Sequence, residues 1–272
     1  IAAGTGVIST TGTATNYEAK SSYTLTVSVN DGTGAAVTNT VVISVTDVNE
    51  ASPVFAAGET DSQNVAEVTT VATYSATDAD GTATLTYSIT GGTDSDLFSI
   101  NSATGALTFS SAPDYENPGC GAGDDSNTCT VVLTVSDGTN TDTITVTATV
   151  TDLNEHSPVF SAGSASAVNV AEGSTAVGTY TATDSDGTAT QTYSIVAAGT
   201  DPASVDHDLF TVNAGTGALT FSSAPDYETP GCGAGNDANV CVVILSVTDG
   251  ANTDTITVTA TVTDMAPVIT SG

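Results

Sequence analysis

The sequence contains almost no basic residues. Lys20 is the only lysine or arginine among 272 residues, whereas 31 residues are acidic, so the formal net charge is −30. A chain of this kind cannot neutralise a phosphate backbone, which excludes nucleic-acid binding and attraction to anionic membranes. Cations are the partners that this charge predicts.

Long apolar runs and helical periodicity are also missing. No stretch approaches the roughly 20 apolar residues of a membrane-spanning helix, so we expect no membrane insertion. The start of the chain lacks the basic and apolar parts of a signal peptide, and we expect any export signal to have been removed or to lie outside this segment. Tryptophan is absent and Met265 is the sole methionine, while Thr, Ser, Val, Ala and Gly dominate. This composition favours strands over helices.

The sequence repeats itself. The segment GALTFSSAPDYE occurs at 105–116 and again at 217–228, and TITVTATVTD occurs at 143–152 and 255–264. The first fifty residues match only the second half of this unit. We therefore divide the chain into a partial repeat at 1–50, a second repeat at 51–156, a third repeat at 157–264, and a tail at 265–272 that opens a further repeat or supplies a strand shared with a neighbour.

Within each repeat, apolar residues alternate with threonines. Ile144, Val146 and Ala148 are each followed by a threonine, a period of two that predicts a strand with one buried face. Asp-Gly turns such as Asp137-Gly138 separate these runs. The pattern predicts an all-β fold of tandem seven-stranded, Greek-key β-sandwiches with a partial first repeat.

The four cysteines form two closely spaced pairs. Cys120 and Cys129, like Cys232 and Cys241, are separated by eight residues within Gly-rich loops. Local disulfides are the simplest interpretation, and they imply an oxidising, extracellular location. Zinc is the alternative, but the spacing is not C-x-x-C and no histidine lies nearby in the sequence. We predict two disulfides.

Acidic residues recur at fixed places in both full repeats. Spacing by two in an extended segment puts carboxylates on one side, and they repel one another unless a cation lies between them. Oxygen ligands without histidine or thiolate select calcium or magnesium, and a mixture of carboxylates and backbone carbonyls favours calcium. The recurring acids are Glu67, Asp78, Asp80, Asp114, Glu116 and Asp137 in the second repeat, and Glu172, Asp184, Asp186, Asp226, Glu228 and Asp249 in the third.

Together these motifs resemble tandem cadherin repeats of the bacterial or cadherin-like kind, over essentially the whole chain. The resemblance implies a Greek-key sandwich fold, an elongated rod, and calcium ions at the junctions between successive repeats. The matching elements are V-A-E at 65–67 and 170–172, D-A-D at 78–80, D-S-D at 184–186, P-D-Y-E at 113–116 and 225–228, S-D-G at 136–138, T-D-G at 248–250, and the linkers DVNEASPVF and DLNEHSPVF.

The resemblance also implies the calcium ligands. Glu155 and His156 stand where the family's linker usually has Asp and Asn, and His156 needs to supply only its main chain. The expected ligands at the junction of the second and third repeats are Glu67, Asp114, Glu116, Leu153 and His156 through their carbonyls, Asn154, Glu155, Asp184, Asp186 and Asp249. Those at the junction of the partial and second repeats are Glu18, Asn49, Glu50, Asp78, Asp80 and Asp137, with Asn16 where Asp is usual. At the far end, Glu172, Asp226, Glu228 and Asp264 form only half of a further site.

We interpret the chain as a calcium-rigidified structural or adhesive rod at the cell surface, a segment or subunit of a surface filament or large adhesin. Its expected partners are calcium and either homotypic end-to-end contacts or neighbouring repeats, because a partial sandwich leaves sheet edges uncovered. The alternative is a carbohydrate-binding module using Tyr115 and Tyr227. We expect no enzyme, since Asp114 and Glu116 recur with unchanged neighbours whereas catalytic carboxylate pairs are usually single.

Overall fold

The computed structural model is built from short β-strands and confirms the all-β prediction. The chain divides into two compact units, Ile1–Thr151 and Asp152–Gly272. Helical structure among the described residues consists of the 3-10 turns Ser95–Leu97 and His207–Leu209, neither of which has the length needed to cross a membrane. The structure describes residues 5–12, 14–81, 84–123, 125–187, 190–197, 204–233 and 238–265.

The partial repeat contributes one β-hairpin. Strands β1 (Ser22–Val29) and β2 (Val37–Ser44) are antiparallel, with Leu25 opposite Val41. Leu25 corresponds to Val131 of the second repeat, yet Leu25 is 36% exposed whereas Val131 is fully buried. The hairpin therefore has the strand pairing of a complete repeat without a covered apolar face.

The second repeat is a β-sandwich. Its strands are β3 (Val54–Phe55), β4 (Thr60–Ala66), β5 (Thr70–Thr73), β6 (Ala76–Thr77), β7 (Thr86–Gly91), β8 (Phe98–Ile100), β9 (Ala106–Phe109), β10 (Thr128–Ser136) and β11 (Thr141–Thr151). One sheet has the order β4-β11-β10-β7 and the other β5-β9-β8, while β3 pairs with β6. We count β3 and β4 as two parts of one interrupted strand, and β5 and β6 as two parts of another. The nine segments then make seven strands, as predicted.

The core of the second repeat lies between these two sheets. Strands β10 and β11 pair so that Leu133 lies opposite Ile144, and both side chains are fully buried. The facing sheet contributes Phe98 and Phe109, whose ring centroids are 4.5 Å apart. The alternation of threonine with apolar residues thus produces one buried and one outer face, because successive side chains point to opposite sides of a strand.

The third repeat has the same topology. Its sheets are β13-β20-β19-β16 and β14-β18-β17, and β12 pairs with β15. As β4 runs parallel to β11, so β13 runs parallel to β20. The strands are β12 (Val159–Phe160), β13 (Ala165–Ala171), β14 (Ala176–Thr179), β15 (Ala182–Thr183), β16 (Thr192–Ile195), β17 (Phe210–Val212), β18 (Ala218–Phe221), β19 (Val240–Thr248) and β20 (Thr253–Thr263).

Both predicted disulfides are present. Cys120 is bonded to Cys129 with Cα atoms 4.9 Å apart, and Cys232 to Cys241 with Cα atoms 4.8 Å apart. All four cysteines are buried against the core of their repeat. The zinc alternative is therefore wrong for these residues, because the sulfur atoms are bonded to each other.

Candidate metal centres

Three carboxylates of the second repeat converge just beyond the end of β4, in what we call the Glu67 cluster. Glu67 follows β4, and Asp114 and Glu116 lie in the loop after β9; one oxygen atom from each lies within 4.8 Å of the others. The amide of Tyr115 donates a 2.8 Å hydrogen bond to Glu67 Oε1, and the amide of Asn117 donates one of 2.9 Å to Asp114 Oδ1. The backbone of the loop thus fixes two of the three acids.

A second group, the Asp80 cluster, joins the partial repeat to the second repeat. Glu18, Asp47 and Asp80 each place a carboxylate oxygen within 4.8 Å of the others. Asp80 is only 4% exposed, and its Oδ2 accepts a 2.8 Å hydrogen bond from the amide of Ala51. The amide of Asp80 in turn donates to Asp78 Oδ1 at 2.9 Å. Strand β6 ends before Asp78, so this Asp-x-Asp pair lies in a turn and not in the extended segment that its spacing suggested.

The other residues predicted at this junction lie around the Asp80 cluster. The side-chain amide of Asn49 donates to the backbone oxygen of Asp137 at 3.5 Å and to Thr139 Oγ1 at 3.4 Å. Burial raises the pKa of Asp137, but the amides of Asn140 and Thr139 outweigh it and the net shift is downward. Desolvation raises the pKa of Glu50, and the negative charges of the Asp80 cluster raise it further. Such a shift shows that negative charge accumulates here.

The third repeat contains the corresponding Asp186 cluster. Asp184, Asp186 and Asp249 place one carboxylate oxygen each within 4.8 Å of the others. Asp186 is 1% exposed, and its amide donates a 3.1 Å hydrogen bond to Asp184 Oδ1. The amide of Asn252 and then that of Ala251 hold the pKa of Asp249 below its usual value. Asp249 therefore keeps its negative charge at neutral pH.

His156 contacts this cluster through both its backbone and its ring. Its amide donates to Asp186 Oδ2 at 2.8 Å, and its Nδ1 lies 2.7 Å from Asp186 Oδ1 and 3.8 Å from Glu155 Oε1. Its carbonyl oxygen accepts a 2.7 Å hydrogen bond from Asn252. Sequence reasoning assigned His156 a backbone role alone, and the contact of its ring with Asp186 was not anticipated.

Of the two remaining linker residues, Asn154 bonds to the Asp186 cluster and Leu153 bonds within the linker. A side-chain hydrogen bond from Asn154 contributes to the lowered pKa of Asp249. The carbonyl oxygen of Leu153 accepts a 3.0 Å hydrogen bond from the amide of Glu155.

The opposite end of the third repeat carries a further group of acids. Glu172, Glu228 and Asp264 each place an oxygen atom within 4.8 Å of the others. The amides of Met265 and Tyr227 donate to Glu172 at 2.9 and 3.1 Å and lower its pKa. The pKa of Glu228 is raised, because desolvation and the charges of Glu172 and Asp264 outweigh a hydrogen bond from its own amide.

Two features of these clusters escaped the sequence-based ligand assignment. Asp47 lies in the Asp80 cluster although it was not among the expected ligands; the Asp-x-Asn-Glu pattern, with Asp47 two residues before Asn49, was the signal that could have identified it. Asn16, noted as a replacement for Asp, accepts a 2.7 Å hydrogen bond from the amide of Ala19 through its side chain. Asn16 thus stabilises a turn.

Comparison with known proteins identifies related domains. The cadherin-domain family model matches residues 61–151. Cadherin EGF LAG seven-pass G-type receptor 2 of Mus musculus is 33% identical over 216 residues, which make up 76% of this chain and 7% of that protein. The chain therefore spans a small part of the length of this relative.

Solved structures share the fold. Protocadherin Gamma B2 extracellular cadherin domains 3–6 superimpose with a TM-score of 0.65 at 19% identity, covering 92% of this chain and 61% of that one. The Protocadherin gammaB7 EC3-6 cis-dimer structure gives a TM-score of 0.63 at 21% identity, covering 90% and 60%. With the sandwich topology, the repeated acidic motifs and the family match in agreement, the chain is composed of tandem cadherin repeats.

Proposed function

We propose that this chain is an extracellular structural or adhesive element in which calcium ions bound at the repeat junctions hold successive repeats rigid. It would serve as a segment or subunit of a surface filament or large adhesin. The observation that carries the proposal is the convergence of carboxylates in three clusters, where residues distant in sequence bring like charges within 4.8 Å of one another. Such an arrangement costs free energy unless a cation compensates it.

The chemistry of the donors supports calcium. The side-chain donors of the Glu67 and Asp80 clusters are all carboxylate oxygens, which hard cations prefer. Asp78 Oδ2 and Asp184 Oδ2 are buried without a hydrogen-bond donor among the described residues. A buried carboxylate oxygen lacking a donor is costly, so both atoms are suited to a metal ion. Linker carbonyls would complete the six to eight ligands that calcium takes.

The proposed ligands follow the assignment made from the sequence, with one addition. Asp47 joins the set for the junction of the partial and second repeats because it lies in the Asp80 cluster. The first set is then Glu18, Asp47, Asn49, Glu50, Asp78, Asp80 and Asp137. The second set is Glu67, Asp114, Glu116, Leu153, Asn154, Glu155, His156, Asp184, Asp186 and Asp249.

Calcium supplies the positive charge that lets these acids share a site. In its absence the carboxylates repel and the short linkers permit the repeats to swing. Because the ion binds the ordered arrangement, its binding free energy is linked to the order of the linker and adds to stability by mass action. Calcium should therefore stiffen the chain.

Limited proteolysis and small-angle X-ray scattering test the proposal. With calcium present, we expect an extended scattering profile and slow cleavage at linker residues 48–51 and 153–156. Chelation should change the scattering profile to that of a bent chain and should speed cleavage at those sites. Added calcium should reverse both effects. The variant Asp80→Asn should weaken the response at residues 48–51, whereas Asp96→Asn, an exposed acid outside the clusters, serves as the charge-matched control. Profiles and cleavage patterns that do not respond to chelation would contradict the proposal.

The relatives bear on partners and on the alternatives. One structural neighbour is described as a cis-dimer. For this chain the proposal includes homotypic end-to-end contacts or contacts with neighbouring repeats. The cadherin relatives favour neither an enzyme nor a carbohydrate-binding module. Tyr115 also packs against the core of the second repeat, which leaves its ring poorly placed for stacking on a sugar.

A further inference from the structure

The disulfide of the second repeat closes a loop that also contains two backbone hydrogen bonds. Within the loop from Cys120 to Cys129, the amide of Cys120 donates to the carbonyl oxygen of Ser126 at 3.0 Å, and the amide of Ser126 donates back at 2.9 Å. This two-bond bridge and the covalent bond restrict the same short segment. The loop is therefore ordered at both of its ends.

A buried carboxylate holds both flanks of the disulfide. Asp94 is 3% exposed; its Oδ1 accepts a 2.6 Å hydrogen bond from the amide of Gly121, and its Oδ2 accepts one of 2.7 Å from the amide of Thr130. These two residues directly follow the two cysteines. In the third repeat Asp206 accepts the amides of Gly233 and Val242, which again follow the cysteines, at 2.6 and 2.7 Å.

One asparagine of the closed loop is hydrogen-bonded to the segment Asp114-Tyr115-Glu116, which we call the acidic triplet. The side-chain amide of Asn127 donates a 2.9 Å hydrogen bond to the carbonyl oxygen of Tyr115, which lies between Asp114 and Glu116. The carbonyl oxygen of Asn127 accepts the amide of Val150 at 2.8 Å, so Asn127 is itself fixed to β11.

The same link is present in the third repeat. Asn239 donates to the carbonyl oxygen of Tyr227 at 3.0 Å, and its own carbonyl oxygen accepts the amide of Val262 at 2.8 Å. Tyr227 lies between Asp226 and Glu228, as Tyr115 does between the acids of the second repeat. Recurrence of the link in two repeats shows that it is a feature of the repeat and not of one loop.

We propose that the disulfide loop is a positioning element for calcium, in which Asn127 and Asn239 are positioning residues that aim the acidic triplet of their repeat. This inference rests on the proposed calcium sites. It adds residues that support the ligands without contacting the ion themselves. The Tyr115 backbone is held on both sides: its amide is bonded to Glu67, and its carbonyl oxygen is bonded to Asn127. The backbone that carries the two flanking carboxylates is consequently held in place before an ion arrives.

The energetic argument concerns the ordering cost of binding. A loop that must be ordered when the ion binds subtracts that cost from the affinity. The disulfide, the Asp94 carboxylate and Asn127 order the triplet in advance, so more of the ligand–ion interaction appears as affinity. Removing the hydrogen bond from Asn127 should therefore weaken calcium binding by the second repeat more than it changes the calcium-free fold.

Calcium titration calorimetry on the full chain tests this inference. We compare the unmodified protein with Asn127→Ala, with Asn127→Leu, which has a similar size and no charge but cannot donate a hydrogen bond, and with the double variant Cys120→Ser, Cys129→Ser. Each should weaken one class of site by roughly tenfold, the lower end of the effect expected for residues that orient metal ligands. The matched control is Asn101→Ala, whose side chain bonds the amides of Ala103 and Thr104 in a turn away from the clusters.

A second measurement separates positioning from simple destabilisation. In calcium-free buffer, the melting temperature of Asn127→Leu should stay close to that of the control, while hydrogen exchange at Tyr115 and Glu116 becomes faster. Affinities equal to that of the unmodified protein would overturn the positioning role and leave the calcium proposal intact. An unmodified protein that binds no calcium would overturn the proposed function itself.

Discussion

The phenolic hydroxyl of Tyr74, between β5 and β6, donates a 2.9 Å hydrogen bond to Oδ2 of Asp61 in β4 of the second repeat. Burial and then Asp61 raise the pKa of Tyr74, so the hydroxyl remains a donor at neutral pH. The side chain of Gln63, together with Tyr74, lowers the pKa of Asp61 against the opposing effect of burial. In the third repeat the positions of Tyr74 and Asp61 are occupied by Tyr180 and Ser166, so that repeat lacks the carboxylate.

We expect Tyr74→Phe to destabilise the second repeat by roughly 1.5–3 kcal/mol at pH 7, the usual contribution of a hydrogen bond to a charged group. Because the folded-state pKa of Asp61 is lowered, its contribution is present above the unfolded value of about 3.9 and is lost as the pH falls through the folded value. Urea unfolding in chelator should therefore show a difference between variant and unmodified protein that shrinks in acid. Tyr180→Phe is the control, and an equal acid dependence there would contradict the assignment.

Asp94 should matter for stability apart from any metal. Replacing it by Asn removes one of the two oxygen acceptors, so the amide of Gly121 or Thr130 loses its partner. A buried donor without a partner costs about 1–3 kcal/mol. We expect Asp94→Asn to lower the free energy of unfolding by that amount in calcium-free urea titrations, and Asp96→Asn, an exposed neighbour, to have little effect. Equal stability of the two variants would show that the carboxylate is not needed.

Gly105 occupies a position that accepts no side chain. Its φ is +71°, and a Cβ atom would overlap the carbonyl oxygen of Tyr74. Gly58 also has positive φ, +80°, but a Cβ atom there meets nothing within 4 Å. We expect Gly105→Ala to cost roughly 3 kcal/mol or more, and Gly58→Ala only about 1–2 kcal/mol from backbone strain. Thermal unfolding without calcium measures both, and similar melting temperatures would refute the steric argument.

The Glu67 carboxylate should be required for calcium affinity through its charge. Glu67→Gln keeps an oxygen atom that can accept the amide of Tyr115 but removes one negative charge from the cluster. Calcium affinity depends on the number of charged ligands, so we expect roughly tenfold weaker binding, or about 1.4 kcal/mol. Glu59→Gln removes the same charge from an exposed site. Titration calorimetry should separate the two variants, and identical affinities would place the ion elsewhere.

Much of the chemistry of the candidate metal centres could be predicted from sequence, but the grouping of their acids could not. Asp78 and Asp80 were recognised by their spacing, yet they lie in a turn where the amide of Asp80 bonds to Asp78, and Asp80 meets Glu18 and Asp47. The ring of His156 was expected to play no part, although it lies against Asp186. Spacing describes neighbours along one segment, whereas these contacts depend on how separate loops meet.

The sequence by itself determined the repeats, the alternating strands and the two cysteine pairs, because each is a local pattern whose period or spacing has a direct structural meaning. The tertiary structure alone decided which acids are buried and what they bind. Asp94 and Asp206 look like ordinary loop acids in the sequence, yet they are buried and hold the disulfides, since burial depends on the sheets that pack around them. Asn127 likewise gains its contact with Tyr115 only when the fold closes the loop.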